Sequence, residues 1–179
     1  MKAGTVVWIT GLPSSGKSTL ARALVEKLEG AGLRACILDG DDVRKAVAPA
    51  LAYTAEQRNA FYESLARLAA LLASQGLVVV VPATANRRSF RERARELAPD
   101  FIEVWVDTPP DECARRDAKG LYAAHQNGRA TELPGRGVEY EAPLTPGIVA
   151  HGGRDSAALA KLVERLSVGR CSYRAFASQ

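Results

Sequence analysis

The chain has 179 residues, 47% of them hydrophobic, which suits one domain with a sizeable buried core. Every apolar run is far shorter than the roughly 20 residues that a membrane span needs, and the N-terminus lacks the basic-then-apolar order of a secretory signal. The formal net charge is +4, but the arginines are spread along the chain rather than clustered with aromatic residues, which argues against a nucleic-acid partner. The cysteines Cys36, Cys113 and Cys171 lack disulfide or zinc spacing, so we expect a reduced, cytoplasmic setting.

The first predicted strand, residues 5–10, leads directly into GLPSSGKST at residues 11–19. The spacing G-x-x-x-x-G-K-[ST] is that of the phosphate-binding P-loop, in which backbone N–H groups surround an anion at the start of a helix. An ordinary Gly/Ser loop is the alternative, but a β-rich strand precedes the motif and a helical apolar pattern follows it. We expect Lys17 to reach the β- and γ-phosphates of ATP and Ser18 to bind Mg²⁺. The other expected phosphate-binding residues are Gly11, Pro13, Ser14, Ser15, Gly16 and Thr19.

The next elements alternate between helix and strand. Helical spacing continues to about residue 28, and residues 35–39 predict a second short strand. A long helix is predicted over residues 54–76, because Thr54 is a favourable N-cap, Gln57 follows three positions later and Gly76 stands just past the end. The run LVVVV at residues 77–81 predicts a central parallel strand that is buried on both faces.

The second half of the chain continues the alternation. An arginine-rich helix, a strand at residues 101–107 and a helix opened by prolines are followed by an irregular stretch from residue 119 to about 147. A last short strand is predicted in GIVA, and residues 155–166 predict an amphipathic helix with Asp155 or Ser156 as its cap. The tail, residues 168–179, is expected to be loosely attached. This order predicts one α/β domain over residues 1–179, with a mostly parallel sheet covered by helices on both faces.

Two carboxylates stand at the end of the second predicted strand. Such sheets bind ligands at the carboxyl ends of their strands, and LDGDDVR places Asp39 and Asp41 there, two positions apart. They could hold the water ligands of a phosphate-bound Mg²⁺ or accept a proton from an attacking hydroxyl. The alternative is that Asp41 or Asp42 only caps the next helix.

Several segments resemble those of adenylyl-sulfate kinases. GLPSSGKSTLA and LDGDDVR resemble the family's GLSGAGKST and LDGDNVR segments, and YTAEQR resembles FTEEDR. Further along, FIEVWVDTP, CARRDAKGLY and YEAPLTP are similar to FIEVFV, CExRDPKGLY and YEAPxxPE. The segments keep the family's order and spacing from about residue 5 to 167.

The resemblance implies a P-loop NTPase-type three-layer fold with a five-stranded, mostly parallel sheet and a mobile lid, here about residues 119–147. It implies a kinase that uses ATP and Mg²⁺ to phosphorylate the 3′-hydroxyl of adenylyl sulfate, a step of sulfate assimilation. It also implies a homodimer that binds a nucleotide-like small-molecule acceptor. Neither a membrane nor a nucleic acid is expected as a partner.

Site residues follow from the matching segments. Asp41 would be the base or hydroxyl-orienting carboxylate, with Asp39 near the metal and in reach of the substrate. Arg44 and Arg58 match arginines that grip the nucleotide acceptor, although solvated helix arginines are their alternative. Tyr53 falls where the family stacks a phenylalanine on adenine, or it is simply a packed aromatic.

The lid contributes further residues under the same resemblance. Lys119 falls in the KGLY segment, where the family has a lysine near the substrate. Arg115 and Arg116 stand at the base of the lid, and Arg116 is expected to contact ATP.

The departures from the family lie on the acceptor side. Phe61 replaces an asparagine that contacts the substrate, Leu133 replaces a phenylalanine that stacks on adenine, and Thr84 replaces an arginine. We therefore expect Tyr53, Phe61 and Leu133 to line a changed acceptor pocket together. Either adenylyl sulfate is still the acceptor, or another nucleotide-linked or small hydroxylated molecule is, as in surface-polysaccharide modification. A non-catalytic nucleotide switch is less favoured, because the buried strand ends in Pro82 with no acid after it.

Overall fold

A five-stranded, wholly parallel sheet forms the centre of the structure, a computed structural model that describes residues 3–47, 54–128 and 133–168. The strands are β1 (Val6–Thr10), β2 (Ala35–Ile37), β3 (Val78–Pro82), β4 (Phe101–Val106), the two-residue β5 (Leu133–Pro134) and β6 (Gly137–Val138), and β7 (Ile148–Ala150). The main sheet has the order β2-β3-β1-β4-β7, and β5 pairs only with β6. β1 therefore occupies the middle, with β3 beside it, and the predicted P-loop follows the central strand.

Helices cover both faces of the sheet, so the predicted three-layer α/β fold is confirmed. The helices are α1 (Lys17–Gly30), α2 (Gly40–Val47), α3 (Ala55–Ser74), α4 (Arg88–Leu97), α5 (Pro110–Arg116), α6 (Leu121–Gln126) and α7 (Ser156–Val168). Apolar residues of α1 and α7 share one core cluster with the sheet, and those of α3 and α4 share another. In the described part of the chain, no helix is long and apolar enough to cross a membrane.

Alternation along the strands separates these two cores. Val7 and Ile9 of β1 belong to the α1–α7 side, whereas Val6 and Trp8 belong to the α3–α4 side. β3 alternates in the same way, and all five of its residues are buried, as its continuous apolar run predicts.

The predicted helix signals act as expected. The Thr54 hydroxyl accepts a hydrogen bond from the Gln57 backbone N–H at 3.3 Å, and Gly76 follows α3 with a φ of +88°. Before α7, the Asp155 carboxylate accepts from the Ala158 N–H at 2.9 Å, so the cap of this helix is Asp155 rather than Ser156. Both helices therefore begin where the sequence predicts.

The stretch predicted as irregular from residue 119 contains structure. The Asp117 carboxylate accepts from the N–H groups of Tyr122 and Ala123 at 3.0 and 2.9 Å, which stabilises the first turn of α6 after Gly120. Tyr122 is then buried against Cys113. The tail beyond Val168, expected to be loosely attached, and Tyr53, expected to stack on adenine, lie outside the described residues.

Candidate active site

The P-loop has a backbone conformation that its glycines make possible. Gly11 and Gly16 have φ values of +152° and +108°, which residues with a side chain rarely adopt. A Cβ atom on Gly16 would also lie 2.5 Å from the backbone nitrogen of Gly153, in the loop after β7. The loop therefore needs glycine at residue 16 for both its conformation and the space around it.

Residues in and next to α5 and α6 form hydrogen bonds with backbone carbonyls of the P-loop. The carbonyl of Ser15 accepts hydrogen bonds from the Thr108 hydroxyl at 2.9 Å and from the Arg116 guanidinium at 3.2 Å. The Tyr122 hydroxyl donates to the carbonyl of Pro13 at 3.1 Å. Arg116, which is expected to contact ATP, thus bonds directly to the P-loop. Thr108 and Tyr122 bond to the loop as well, and the sequence did not indicate that these two residues would do so.

Lys17 lies inside the curve of the loop. Its ammonium donates to the carbonyls of Gly11 at 3.0 Å and Leu12 at 2.7 Å. Burial, and then the positive charge of Lys119, lower the pKa of Lys17 from 10.5 to about 8. A phosphate between these positive groups would relieve that unfavourable environment, which suits the role predicted for Lys17.

Ser18 and the two predicted carboxylates lie side by side. The Ser18 hydroxyl donates to Asp39 Oδ2 at 2.7 Å, and Asp39 Oδ1 accepts from the backbone N–H of Asp41 at 3.0 Å. Asp39 therefore precedes and caps α2, while Asp41 and Asp42 lie in its first turn. The helix-capping alternative for Asp41 and Asp42 is thus wrong, because Asp39 has that role.

These oxygen ligands fit a magnesium ion that is bound together with a nucleotide. Within residues 3–47, 54–128 and 133–168, no cluster of three or more His, Cys, Asp or Glu side chains could hold a metal by itself. Mg²⁺ usually binds through one or two protein oxygens and substrate phosphates, rather than in an all-protein cage. The hydroxyl of Ser18 and the carboxylate of Asp39 form a donor set of that kind.

Asp41 faces a lysine from the start of the predicted lid. Lys119 forms an ion pair with Asp41, and both side chains are about half exposed. Partial burial lowers the pKa of Lys119, but the hydrogen bond and charge of Asp41 outweigh it, so the pKa is raised. The structure thus brings together the two residues that the resemblance assigns to the base and to the substrate contact.

Two predicted acceptor residues are in contact with each other. The Arg44 guanidinium lies over the ring of Phe61, 3.9 Å from its centroid, and Phe61 contacts Tyr62 edge to face with centroids 5.5 Å apart. Burial raises the pKa of Tyr62, while the charges of Arg44 and Arg58 act in the opposite direction. Arg44 and Phe61 are therefore in direct contact beside Tyr62, and Arg58 lies in the first turn of α3, which also carries Phe61.

Leu133 does not join this group. It is buried with Cys113 and Tyr122, and Leu12 of the P-loop packs against the same cluster. Phe61, in contrast, belongs to the core between the sheet and α3. Phe61 and Leu133 thus lie in different hydrophobic clusters, and their shared lining of an acceptor pocket stays a prediction.

Comparison with known proteins gives a consistent assignment. The sequence model of the family described as adenylylsulphate kinase matches residues 3–151. An adenylyl-sulfate kinase of Picosynechococcus sp. is 41% identical over 146 residues, which cover 80% of this chain and 81% of that protein. The bifunctional enzyme NodQ of Rhizobium sp. is 45% identical over 145 residues, which cover 80% of this chain but only 22% of NodQ.

A solved structure agrees with these sequence relatives. The Mycobacterium tuberculosis APS kinase CysC, in complex with AMPPNP and APS, superposes with a TM-score of 0.87 at 34% sequence identity. The alignment covers 93% of this chain and 99% of the CysC chain. From these matches and the P-loop and paired carboxylates described above, the chain belongs to the adenylylsulphate kinase family.

Proposed function

We propose that this protein is an ATP- and Mg²⁺-dependent kinase that phosphorylates the 3′-hydroxyl of adenylyl sulfate. The observation that carries the proposal is the position of Asp41. Its backbone N–H donates to Asp39, which accepts from Ser18 of the P-loop. Arg44, which contacts Phe61, follows Asp41 three positions later on the same helix. A phosphate donor on one side and a nucleotide acceptor on the other would meet at this carboxylate. The related CysC structure, solved with AMPPNP and APS, supports both ligand classes.

On the donor side, the P-loop N–H groups and Lys17 would bind the phosphates of ATP. Ser18 and Asp39 would hold Mg²⁺, which neutralises charge that develops on the phosphates during transfer. Arg116, anchored at Ser15, would contact the nucleotide next to the loop. None of these residues changes its covalent state, so their contribution is binding and electrostatic stabilisation.

On the acceptor side, Asp41 would accept the proton of the attacking hydroxyl. The hydroxyl oxygen forms a bond to the γ-phosphorus, the bond from that phosphorus to the β–γ bridging oxygen breaks, and ADP leaves with the electron pair. Lys119, which pairs with Asp41, would hold this carboxylate next to the base of the lid.

The remaining predicted residues belong to the same proposal. Arg44 and Arg58 would bind the phosphosulfate group of the acceptor through charge-assisted hydrogen bonds. The ring of Phe61 would keep the Arg44 guanidinium in place by packing against it, and Tyr53 would stack on the adenine ring. Leu133 would act through its contact with the P-loop side rather than beside Phe61.

The wider setting is proposed on the same basis. The protein would act in the cytoplasm, in sulfate assimilation, and as a homodimer. Residues 119–147 would form the lid that covers both substrates, as long segments at active sites commonly do.

A second acceptor class is favoured by one observation. The ring of Phe61 occupies the place of an amide in the family, and it is almost fully buried beneath Arg44. A phenyl ring cannot offer the hydrogen bonds of an amide, so the acceptor could be another nucleotide-linked hydroxyl compound.

The test is an acceptor screen with Mg·ATP. The purified protein is incubated with adenylyl sulfate, adenosine 5′-phosphate and nucleotide sugars, and the products are measured by mass. A gain of one phosphoryl group on adenylyl sulfate, with little ATP turnover when no acceptor is present, is the expected result. Phosphorylation of a nucleotide sugar but not of adenylyl sulfate would favour the second class, and acceptor-independent ATP hydrolysis would contradict both.

A further inference from the structure

A buried arginine lies next to the active site without belonging to it. Arg91 of α4 is only 2% exposed, and its Nε atom donates to Glu103 of β4 at 2.7 Å. Glu103 is itself 8% exposed, and its second oxygen accepts from Arg95 at 3.0 Å. Each oxygen of this buried carboxylate therefore accepts a hydrogen bond from an arginine.

The other two nitrogens of the Arg91 guanidinium contact main-chain carbonyls. Nη1 donates to Ala85 at 2.5 Å and Nη2 donates to Glu141 at 2.6 Å. Ala85 belongs to the β3–α4 loop (residues 83–87), and Glu141 belongs to the 139–142 segment, which lies in the C-terminal part of the predicted lid. One planar side chain thus joins the loop to the segment with fixed hydrogen-bond directions.

The β3–α4 loop lies on the acceptor side. It follows the carboxyl end of β3, and the Ala85 N–H donates to the Tyr62 hydroxyl at 2.9 Å, next to Phe61 and Arg44. Ala85 has a φ of +39°, in the left-handed region that a residue with a side chain seldom adopts. Its conformation therefore depends on the partners that hold its N–H and carbonyl groups.

The 139–142 segment is tied to the same loop by other bonds. The Asn86 side chain donates to the Glu139 carbonyl at 3.0 Å, and the Glu141 N–H donates to the Asn86 carbonyl at 2.8 Å. The Tyr140 hydroxyl lies 3.1 Å from the hydroxyl of Thr10, which donates to the Thr84 carbonyl at 2.7 Å. The 139–142 segment, the β3–α4 loop and the end of β1, just before the P-loop, are therefore linked by hydrogen bonds.

We propose that Arg91 is a positioning residue for the acceptor. It holds the β3–α4 loop in the conformation that supports Tyr62, it keeps the 139–142 segment of the predicted lid in place, and it touches neither substrate. The inference rests on the proposed function for the identity of the acceptor, but not for the hydrogen bonds that carry it.

The first test compares Arg91→Lys with Arg93→Lys. Lysine keeps the charge but loses the planar fork, so it cannot bond Glu103, Ala85 and Glu141 together. The matched control is Arg93, which lies on the same helix. It forms partly exposed ion pairs with Glu63 and Glu96 rather than bonds to the β3–α4 loop.

Arg91→Lys is expected to raise the KM for adenylyl sulfate roughly tenfold or more, since small misplacements at reacting groups are costly. The KM for ATP should stay within about twofold, and Arg93→Lys should change neither.

A second variant separates positioning from stability. Replacing both partners, Arg91→Met with Glu103→Leu, substitutes apolar side chains for a buried ion pair, a change that often preserves or increases stability. It still removes the donors to Ala85 and Glu141. The raised KM for the acceptor should therefore persist in this double variant even where its thermal midpoint equals that of the wild type.

Hydrogen exchange gives a readout that needs no substrate. Peptides that contain residues 83–87 and 139–142 should exchange faster in Arg91→Lys than in Arg93→Lys. Equal exchange in the two variants, or equal changes in the KM for both substrates, would overturn the inference. A wild-type protein that does not phosphorylate adenylyl sulfate would refute the proposed function alone, and the exchange comparison would still decide the role of Arg91.

Discussion

Lys119 and Asp41 form an ion pair although 78 positions separate them in the chain. Lys119 follows α5 at the start of the predicted lid, whereas Asp41 lies in the first turn of α2 beside the P-loop. The base of the predicted lid is therefore in direct contact with the carboxylate that we assign to the acceptor hydroxyl.

Asp41→Asn should lower kcat by ~10²–10⁴-fold, because an amide cannot accept the proton of the hydroxyl. The KM for ATP should change by less than about threefold, since Asp41 does not contribute to the P-loop. Steady-state kinetics with each substrate varied will measure both. The control is Asp42→Asn in the same helical turn, where the exposed carboxylate pairs with Lys45 at 3.4 Å. Equal activity of the two variants would exclude a catalytic role for Asp41.

Lys17→Ala should reduce phosphoryl transfer by ~10²–10³-fold, the usual cost of losing one preorganised donor at a developing charge. Lys27, in the last turn of the same helix α1, provides the matched control. Lys27→Ala removes the same side chain far from the loop and should leave turnover unchanged. Turnover of Lys17→Ala within about threefold of the wild type would refute the P-loop assignment.

The affinity for ATP should depend on pH through Lys17. Its pKa is lowered to about 8 by burial and by Lys119, so the ammonium loses its proton in the free protein as the pH rises above 8. Phosphates favour the charged form, so binding should be tightest below pH 8, weaken above it and be accompanied by proton uptake. Calorimetry in buffers of different ionisation enthalpy will measure the uptake. The same uptake in Lys17→Met would show that another group is responsible.

Ser18→Ala should raise the concentration of Mg²⁺ needed for half-maximal activity, because it removes one of the two oxygens that face each other at 2.7 Å. Ser18→Thr keeps the hydroxyl, and the P-loop motif accepts either residue, so this variant should behave like the wild type. Activity is measured against Mg²⁺ at fixed ATP. A threonine variant as impaired as the alanine variant would indicate a steric effect instead.

Hydrogen exchange should slow in the lid when both substrates bind. The decrease is expected in peptides from residues 119–128 and 133–138, which would close over the site. Residues 139–142 should change little, because the β3–α4 loop and Arg91 already hold them. Peptides from α7 serve as the internal reference. Equal exchange of residues 119–128 with and without ligands would contradict a lid at this position.

The sequence predicted those features that depend on neighbouring residues. The P-loop glycines, the Thr54 and Asp155 caps and the buried strand β3 are all set by short patterns, and the structure agrees with each. Asp39 was assigned only to the metal and substrate, yet it also caps α2. The sequence suggests a helix capped by Asp41 or Asp42, whereas α2 begins at Gly40, so Asp39 is the residue that caps it.

Contacts between distant segments could not be predicted in the same way. Arg91 appeared as one of several arginines in a helix, and nothing local distinguishes it from Arg93. Its burial depends on Glu103 and on a carbonyl 50 positions away. Leu133 was assigned by alignment to the adenine stack, but its burial depends on the packing of Tyr122 and Cys113.

The close approach of Gly153 to Gly16 limits how far the chain can be shortened. A fragment that ends at residue 151 would retain every position matched by the family's sequence model, yet it would lack the backbone that lies against the P-loop. It would also lack α7, whose Leu159 and Leu162 are buried in the core beside α1. Such a fragment should fail to fold, and the smallest active unit should extend at least through the end of α7 at Val168.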